Sequence, residues 1–154
     1  MKVALVRLGR ARTPWADQAV ADFSRRLPRS LPFVEETLDP EPFRGDVEAV
    51  RAAEASRLLA HLRDGDRLIT LDERGELPSS EGFADWIQEA ARLSTRRLVF
   101  AIGGPYGHGE AARTASWRRL ALGRMVLNHE IARVVIVEQL YRASTLLWGG
   151  AYHH

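Results

Sequence analysis

Short apolar runs alternate along the chain with stretches in which apolar residues recur every three or four positions. The runs at residues 2–8, 32–38, 67–71, 96–102 and 117–122 are rich in valine, isoleucine and leucine and predict five strands. The longer-period stretches predict helices that begin near residues 14, 46, 80, 110 and 129. Thr13, Ser79 and Asn128 precede three of these helices and are residue types that cap a helix N-terminus.

The apolar faces of the predicted helices differ in width. The first helix has one narrow face at spacings of four, from Trp15 through Ala19 and Phe23 to Leu27. The second helix, over residues 46–63, has a comparable stripe that includes either Ala53 or Glu54 at its centre. The last helix is apolar on too many sides for one contact, which predicts burial against a second surface such as another subunit: Ile131, Val134, Val135, Val137, Leu140 and Tyr141.

Strands that alternate with helices predict an α/β fold, with a mostly parallel sheet and helices on both faces. The length of 154 residues suits a single domain over residues 1–154. Ligands of such sheets bind at the carboxyl ends of the strands. Three predicted loops have that position, at residues 72–78, 103–109 and 123–127, and we expect them to form one site.

Composition narrows the functional classes. The chain has no cysteine, so disulfides, thiolate metal sites and cysteine nucleophiles are excluded. It has no signal peptide and no apolar run of membrane-spanning length, and we expect a cytoplasmic protein without a membrane partner. Residues 1–29 carry seven basic and two acidic groups and residues 92–154 nine and three, whereas residues 30–91 carry six and fifteen. If the two ends meet, they form a basic face suited to a polyanion.

Arginine accounts for all the basic residues except Lys2, which is the only lysine. Guanidinium forks suit phosphates and base edges. The same bias also arises from genome composition, so it does not by itself indicate a nucleic-acid partner.

The glycine loop over residues 103–109 is the first candidate site. Gly103 and Gly104 follow a strand directly, so backbone atoms can approach a ligand there without an intervening Cβ. The spacing matches neither the dinucleotide fingerprint nor a P-loop. The alternative is an ordinary turn between a strand and a helix. For the charged segment over residues 72–75, the alternatives are a contact to a ligand hydroxyl or ammonium group and a solvated turn.

The histidines show no metal-ligand spacing, and we expect no metal site. His129 stands at a helix start, where it either caps the helix or reaches a site. His153 and His154 end the chain and are either functional or the remnant of an expression tag. Glu138 and Arg142 are four residues apart and predict either a surface ion pair or an arginine held beside the C-terminal tail.

Together, five segments resemble the RlmH (YbeA-like) branch of the SPOUT methyltransferases. They are LDERG at 71–75, SSE at 79–81, LVFAIGGPYG at 98–107, NHEIARVVIVEQLYRA at 128–143 and the terminal AYHH. The N-terminal VRLGRARTPWADQAVADFSRRL is also similar, so the resemblance spans essentially the whole chain. One departure is Asn128, where the family has proline. Asparagine also starts helices well.

The resemblance implies a SPOUT-type α/β knot and a homodimer formed through the last helix. It implies an enzyme that methylates N3 of a pseudouridine in the 23S rRNA of the assembled ribosome, with S-adenosyl-L-methionine as the methyl donor. The residues implied to bind the cofactor are those of the three loops already identified: Leu71, Gly103, Gly104, Gly107, Leu122, Gly123, Arg124, Met125, Val126 and Leu127.

The resemblance also implies that Arg142, Tyr152 and His153 place the target base, and we add a hypothesis for the mechanism and for the RNA contacts. His153 is the first candidate for the base that removes the N3 proton and His129 the second, with loss of the proton to water as the alternative. Tyr152 is expected to stack on the base or to form a hydrogen bond with it, and Arg142 to stabilise the developing anion or a phosphate. Arginines expected to contact RNA are Arg7, Arg10, Arg12 and Arg133. Two other functions stay open, a SPOUT enzyme acting on tRNA and a non-catalytic ribosome-binding protein.

Overall fold

The computed structural model describes residues 1–9 and 13–149, in which helices and strands alternate along the chain. This is the α/β fold that the hydrophobic pattern predicts. In chain order the elements are β1 Lys2–Leu8, α1 Pro14–Arg26, β2 Phe33–Leu38, α2 Val47–His61, β3 Asp66–Glu76, α3 Ser80–Arg92, β4 Arg97–Ile102, α4 Glu110–Ala115, β5 Arg118–Leu120 and α5 His129–Trp148.

The five strands form one sheet in the order β2-β1-β4-β3-β5, and every neighbouring pair is parallel. The parallel sheet predicted from the alternation of elements is therefore confirmed. β4 lies at the centre and is buried at every position, whereas the edge strand β2 is mostly half-buried. Because all strands point the same way, the carboxyl ends of β3, β4 and β5 meet at one edge.

Helices cover both faces of the sheet, because successive side chains of a strand point to opposite sides. Val3 and Leu5 of β1 face a core formed with α1, α3 and α5. Ala4 and Val6 face a second core formed with α2 and α4. The helix α5 packs against both α1 and α3. Two sides of this broadly apolar helix are thus covered within the chain, while Ile131 and Trp148 stay exposed.

The helix starts follow the predicted signals in most cases. Asn128 caps α5, with its side chain accepting a hydrogen bond from the Glu130 amide at 2.8 Å. Ser79 caps α3 in the same way through the amide of Gly82. Asparagine therefore fulfils the helix-starting role at this departure from the family pattern. Thr13 forms no such side-chain bond, and α1 begins with Pro14 at its first position.

The predicted buried face of α1 is wrong at its first residue. Trp15 is 54% exposed, whereas Ala16 and Val20 are buried. Phe23 and Leu27 do pack against the core, as predicted. At 3.6 residues per turn, the buried or packed positions 16, 20, 23 and 27 lie on one side of the helix, and Trp15 lies at the edge of that side. Positions four residues apart rotate gradually around the helix axis. A face predicted from that spacing alone therefore includes a residue that is exposed at the end of the helix.

The predicted loop over residues 72–75 is instead part of β3, which continues to Glu76. Leu71 and Glu76 both pair with Leu120 of β5, so the intervening residues form an irregularity in the strand. Gly75 lies so close to β5 that a Cβ there would be 2.5 Å from the Arg119 carbonyl oxygen. Charged residues favour a turn in a prediction from sequence. The pairing with β5 depends instead on the missing Cβ of Gly75, which lets the two strands approach closely. The knot implied by the resemblance stays a prediction.

Candidate active site

A cleft of about 480 Å³ opens where the carboxyl ends of β3, β4 and β5 meet. Most of its lining comes from four segments, which are the end of β3, the glycine loop after β4, the loop before α5 and the first turn of α5, and Arg51 of α2 and Arg113 of α4 complete it. The structure therefore brings the three predicted loops together. Nine of the ten residues expected to bind a cofactor line the cleft: Leu71, Gly103, Gly104, Gly107, Leu122, Gly123, Met125, Val126 and Leu127.

Arg124 is the tenth expected cofactor residue, and it does not line the cleft. Its side chain is exposed, whereas its neighbours Gly123 and Met125 line the cleft. Met125 and Val126 are also largely exposed, at 79% and 82%. The loop before α5 thus presents two apolar side chains and one cation at the mouth of the cleft.

Hydrogen bonds within the glycine loop and from His108 to β4 fix the shape of this loop. The Gly107 amide donates a hydrogen bond to the Gly104 carbonyl at 2.9 Å, and Gly107 has a positive φ of 76°. His108 is buried, and its Nε2 lies 3.0 Å from the carbonyl oxygen of Ala101. Burial lowers the pKa of the His108 imidazole. This histidine is therefore neutral at physiological pH and anchors the loop to β4.

The helix α2 supports the glycine loop from the side. Arg51 donates from Nε to the Tyr106 carbonyl at 2.7 Å and also lines the cleft. The Tyr106 ring lies 5.6 Å from the ring of Phe43, which belongs to the segment before α2. Neither Arg51 nor this aromatic pair was recognised from the sequence. Arg51 occupies an ordinary helical position, and no local sequence pattern indicates that it binds a carbonyl 55 residues away.

The end of β3 brings a fixed charge to the cleft wall. Asp72 is buried, and it accepts hydrogen bonds from the Arg74 amide at 3.0 Å and from Arg113 Nε at 2.8 Å. Burial raises the pKa of Asp72, but these two bonds outweigh it and the net shift is downward. Asp72 is therefore ionised at neutral pH. Arg74 is exposed and leaves a cation at the cleft rim.

The two described catalytic candidates lie far apart within one chain. His129 lines the cleft at the start of α5 and is exposed. Arg142 lies thirteen positions further along the same helix, about 20 Å at 1.5 Å per residue. Its guanidinium pairs with Glu138 at 2.6 Å, as the spacing predicts. Tyr152, His153, Arg10 and Arg12 lie outside the described residues.

The expectation that Arg7 and Arg133 contact RNA needs correction, because both are buried. Arg133 binds Glu35, Asp17 at 2.6 Å and Glu130 at 3.0 Å. Arg7 binds the other oxygen of Glu130 at 2.9 Å and also lies beside Glu35. We call these five residues the ion-pair cluster. It joins β1, β2 and α1 to the first turn of α5, and it takes two arginines of the chain ends out of the basic face that those ends were expected to expose.

Within residues 1–9 and 13–149, no three histidine, aspartate or glutamate side chains group as metal ligands. No described helix is long and apolar enough to span a bilayer.

Known proteins are similar to this chain over its whole length. A family model described as "Predicted SPOUT methyltransferase" matches residues 1–153. This chain belongs to the SPOUT methyltransferase family. A relative from Trichlorobacter lovleyi is 39% identical over 154 residues, with both chains covered completely. One from Porphyromonas gingivalis is 38% identical, and one from Lactococcus lactis subsp. cremoris is 33% identical, with at least 99% of each chain covered. All three are named ribosomal RNA large subunit methyltransferase H.

Proposed function

We propose that this protein transfers a methyl group from S-adenosyl-L-methionine to N3 of a pseudouridine in 23S rRNA on the assembled ribosome. The observation that carries the proposal is the cleft, because it unites the three loops at the carboxyl ends of β3, β4 and β5 beside His129. Membership of a methyltransferase family and the printed names of the relatives support the class of reaction and the rRNA substrate.

The cleft suits a nucleoside cofactor in size and in chemistry. Its volume of about 480 Å³ falls in the range of pockets that enclose a small molecule. Glycines 103, 104 and 107 leave backbone polar groups accessible, and Leu71, Leu122 and Leu127 supply apolar contact. These are the residues that would hold S-adenosylmethionine, which supplies an electrophilic methyl group when bound. The ionised Asp72 is paired with Arg113, which also lines the cleft, so this carboxylate fixes the wall and its charge is balanced within the protein.

The protein's own task in this reaction is to position the base and remove a proton. N3 of pseudouridine carries a hydrogen that has to leave before the nitrogen attacks. We assign the role of base to His153, with His129 at the cleft as the alternative. Arg142 would stabilise the negative charge that develops on the base, and Tyr152 would stack on its ring.

We further propose that Arg142 and the tail act in the cleft of a second subunit. About 20 Å of helix separates Arg142 from His129 in the same chain, so one helix cannot place both at one base. Apolar side chains remain exposed on α1, on the loop before α5 and on α5 itself: Trp15, Met125, Val126, Ile131 and Trp148. A homodimer through α5 would cover apolar surface of this kind and bring the tail of one protomer to the other.

The RNA contacts are assigned to exposed arginines around the cleft. Arg74 lines its rim, and Arg119 and Arg124 are exposed on the adjoining strand and loop. These replace the buried Arg7 and Arg133 as candidates for phosphate binding. Removal of one phosphate contact lowers affinity for every RNA sequence alike and reduces the salt dependence of binding.

A transfer assay with four substrates tests the function. Labelled methyl groups from S-adenosylmethionine are offered to tRNA, naked 23S rRNA, isolated large subunits and whole ribosomes that lack the modification. We expect incorporation into assembled ribosomes at N3 of one pseudouridine. Incorporation only into tRNA would identify a different SPOUT enzyme. Ribosome binding without transfer would identify a non-catalytic protein.

Deletion of residues 152–154 tests the role of the tail. We expect the truncated protein to bind S-adenosylmethionine with unchanged affinity, because the cleft residues are all retained, but to lose transfer. The single variants H153A and H129A then compare the two candidate bases. A truncated protein that methylates at the wild-type rate would contradict the catalytic assignment of the tail.

A further inference from the structure

Glu54 is a buried carboxylate of α2 that lies directly behind the glycine loop. Only 4% of the residue is exposed. A Cβ built on Gly104 would be 2.5 Å from Glu54 Oε2 and 2.9 Å from Oε1. These distances are too short for any side chain, so the carboxylate and the Gly104 backbone are already in contact. Gly104 in turn lines the cleft.

The two oxygens of Glu54 have different surroundings. Oε1 accepts a hydrogen bond from the Glu41 amide at 3.1 Å. Oε2 is buried and has no hydrogen-bond partner among the described residues. A buried, half-satisfied carboxylate destabilises a fold compared with an apolar side chain of similar size. Its presence behind a cleft loop therefore points to a role in the site rather than in stability.

Glu54 also connects the loop to the segment that precedes α2. Arg57, one turn further along α2, binds the Asp39 carbonyl at 2.5 Å and the Glu41 carboxylate at 2.9 Å. Glu54 and Arg57 thus hold residues 39–41 from the same helix that supports Gly104. Arg51, one turn before Glu54, binds the Tyr106 carbonyl. Three consecutive turns of α2 therefore fix the glycine loop and the segment beside it.

We propose that Glu54 is a positioning residue that holds the Gly104 backbone in the shape that binds the cofactor. It acts through Gly104 and does not itself line the cleft. The carboxylate sets how far the loop can retreat from the cleft, and its bond to the Glu41 amide keeps the carboxylate in place. Size and an acceptor oxygen are what this role requires. The inference rests on the proposed function for the identity of the ligand, but not for the effect on the loop.

Isothermal titration with S-adenosylmethionine tests the inference on intact protein. Glu54→Ala and Glu54→Asp leave a gap behind Gly104, and we expect the Kd to rise about 10- to 100-fold, as for a misplacement near 1 Å. Glu54→Gln keeps the size and the acceptor, so its Kd should stay within about threefold, the weaker end of one hydrogen bond. Leu58→Ala is the matched control, because it removes a buried side chain of the same helix that packs in the core below the sheet.

A double-variant cycle separates positioning from general damage. Gly104→Ala should lose cofactor binding, because its methyl group would meet the Glu54 carboxylate. The pair Gly104→Ala/Glu54→Ala should bind no worse than Glu54→Ala alone, since the obstacle is gone. Losses that multiply in the double variant, or an unchanged Kd in Glu54→Ala and Glu54→Asp, would overturn the inference.

Amide hydrogen exchange decides the question independently of the ligand. The Gly107 amide, bonded to the Gly104 carbonyl, should exchange about tenfold faster in Glu54→Ala than in wild type, relative to amides of β4. Leu58→Ala should not change this ratio. A wild-type protein that fails to bind S-adenosylmethionine would contradict the proposed function. The exchange ratio would still decide the role of Glu54, because an unchanged ratio refutes it.

Discussion

Replacement of Arg133 by methionine removes the central cation of the ion-pair cluster. The Arg133 side chain is 4% exposed, and its guanidinium binds three carboxylates, which belong to Asp17, Glu35 and Glu130. Burial lowers the pKa of Arg133, but the bonds to these carboxylates outweigh it and raise the pKa above its ordinary value. The cluster has three carboxylates and two guanidiniums. After the substitution only Arg7 remains to balance the half-buried Glu35 and the buried Glu130.

The magnitude follows from the burial of each partner. Removal of one member of a buried ion pair typically destabilises a protein by about 3–5 kcal/mol, because the remaining charge stays buried. Asp17 is about half exposed, so its bond adds little. For a domain of this size, a loss of about 3–5 kcal/mol lowers Tm by about 6–20 °C. Part of this stability should return in Arg133→Met/Glu130→Gln, where the Arg7 guanidinium faces a single carboxylate, the half-buried Glu35.

Urea and thermal unfolding followed by circular dichroism measure the effect at neutral pH. Arg26→Met is the matched control, because it deletes the same group from an exposed pair with Asp22 at 2.6 Å. That exposed pair is worth less than about 1 kcal/mol. Equal losses in the two variants would refute the reasoning from burial. So would a double variant that is less stable than Arg133→Met alone.

Three further predictions concern the cleft. Gly75→Ala should lower the free energy of unfolding by at least about 1–3 kcal/mol, the range for overpacking, because its Cβ would meet the Arg119 backbone; Gly123→Ala, whose nearest contact is 4.0 Å away, is the control in urea unfolding. Ionised Asp72 should stabilise the fold fully above its ordinary pKa of 3.8, and this stabilisation should be lost as the pH falls through its lower folded pKa. The free energy of unfolding should therefore fall less steeply with decreasing pH in Asp72→Asn than in wild type. An unchanged dependence on acidic pH would contradict this. Mixing tail-deleted protomers with cofactor-site variants should restore about a quarter of the wild-type transfer rate if the tail acts in the partner, and none if it acts in its own chain.

The elements and the site edge were predictable, because both depend on local patterns. The runs that form β1 and β4 are continuous and apolar, and the glycines after β4 stand directly at the strand's end. In a parallel sheet the carboxyl ends of strands share an edge, so three separate loops could be placed at one cleft without knowledge of any contact. Asn128 and Ser79 marked helix starts for the same local reason.

Contacts between distant residues were not predictable. Arg133 binds Glu35, which lies 98 residues away, and a count of charges cannot show that pairing. It therefore suggested an exposed basic face where the protein has a buried ion-pair cluster. Glu54 occupies a position that fits the apolar face of α2, and this position is the local indication that its side chain points inward. The strand character of residues 72–75 depends on the close approach of β5, and no local propensity encodes that approach.

Methylation of 23S rRNA is detected most directly by mass spectrometry of its nucleosides. Ribosomes that lack the modification are treated with the protein and S-adenosylmethionine before the nucleosides are isolated. We predict one new nucleoside, pseudouridine methylated at N3, at a single position of the rRNA. Its formation should depend on the glycine loop and on the C-terminal tail. Methylation at a different base or atom, or transfer to tRNA with no change in 23S rRNA, would contradict the proposed function.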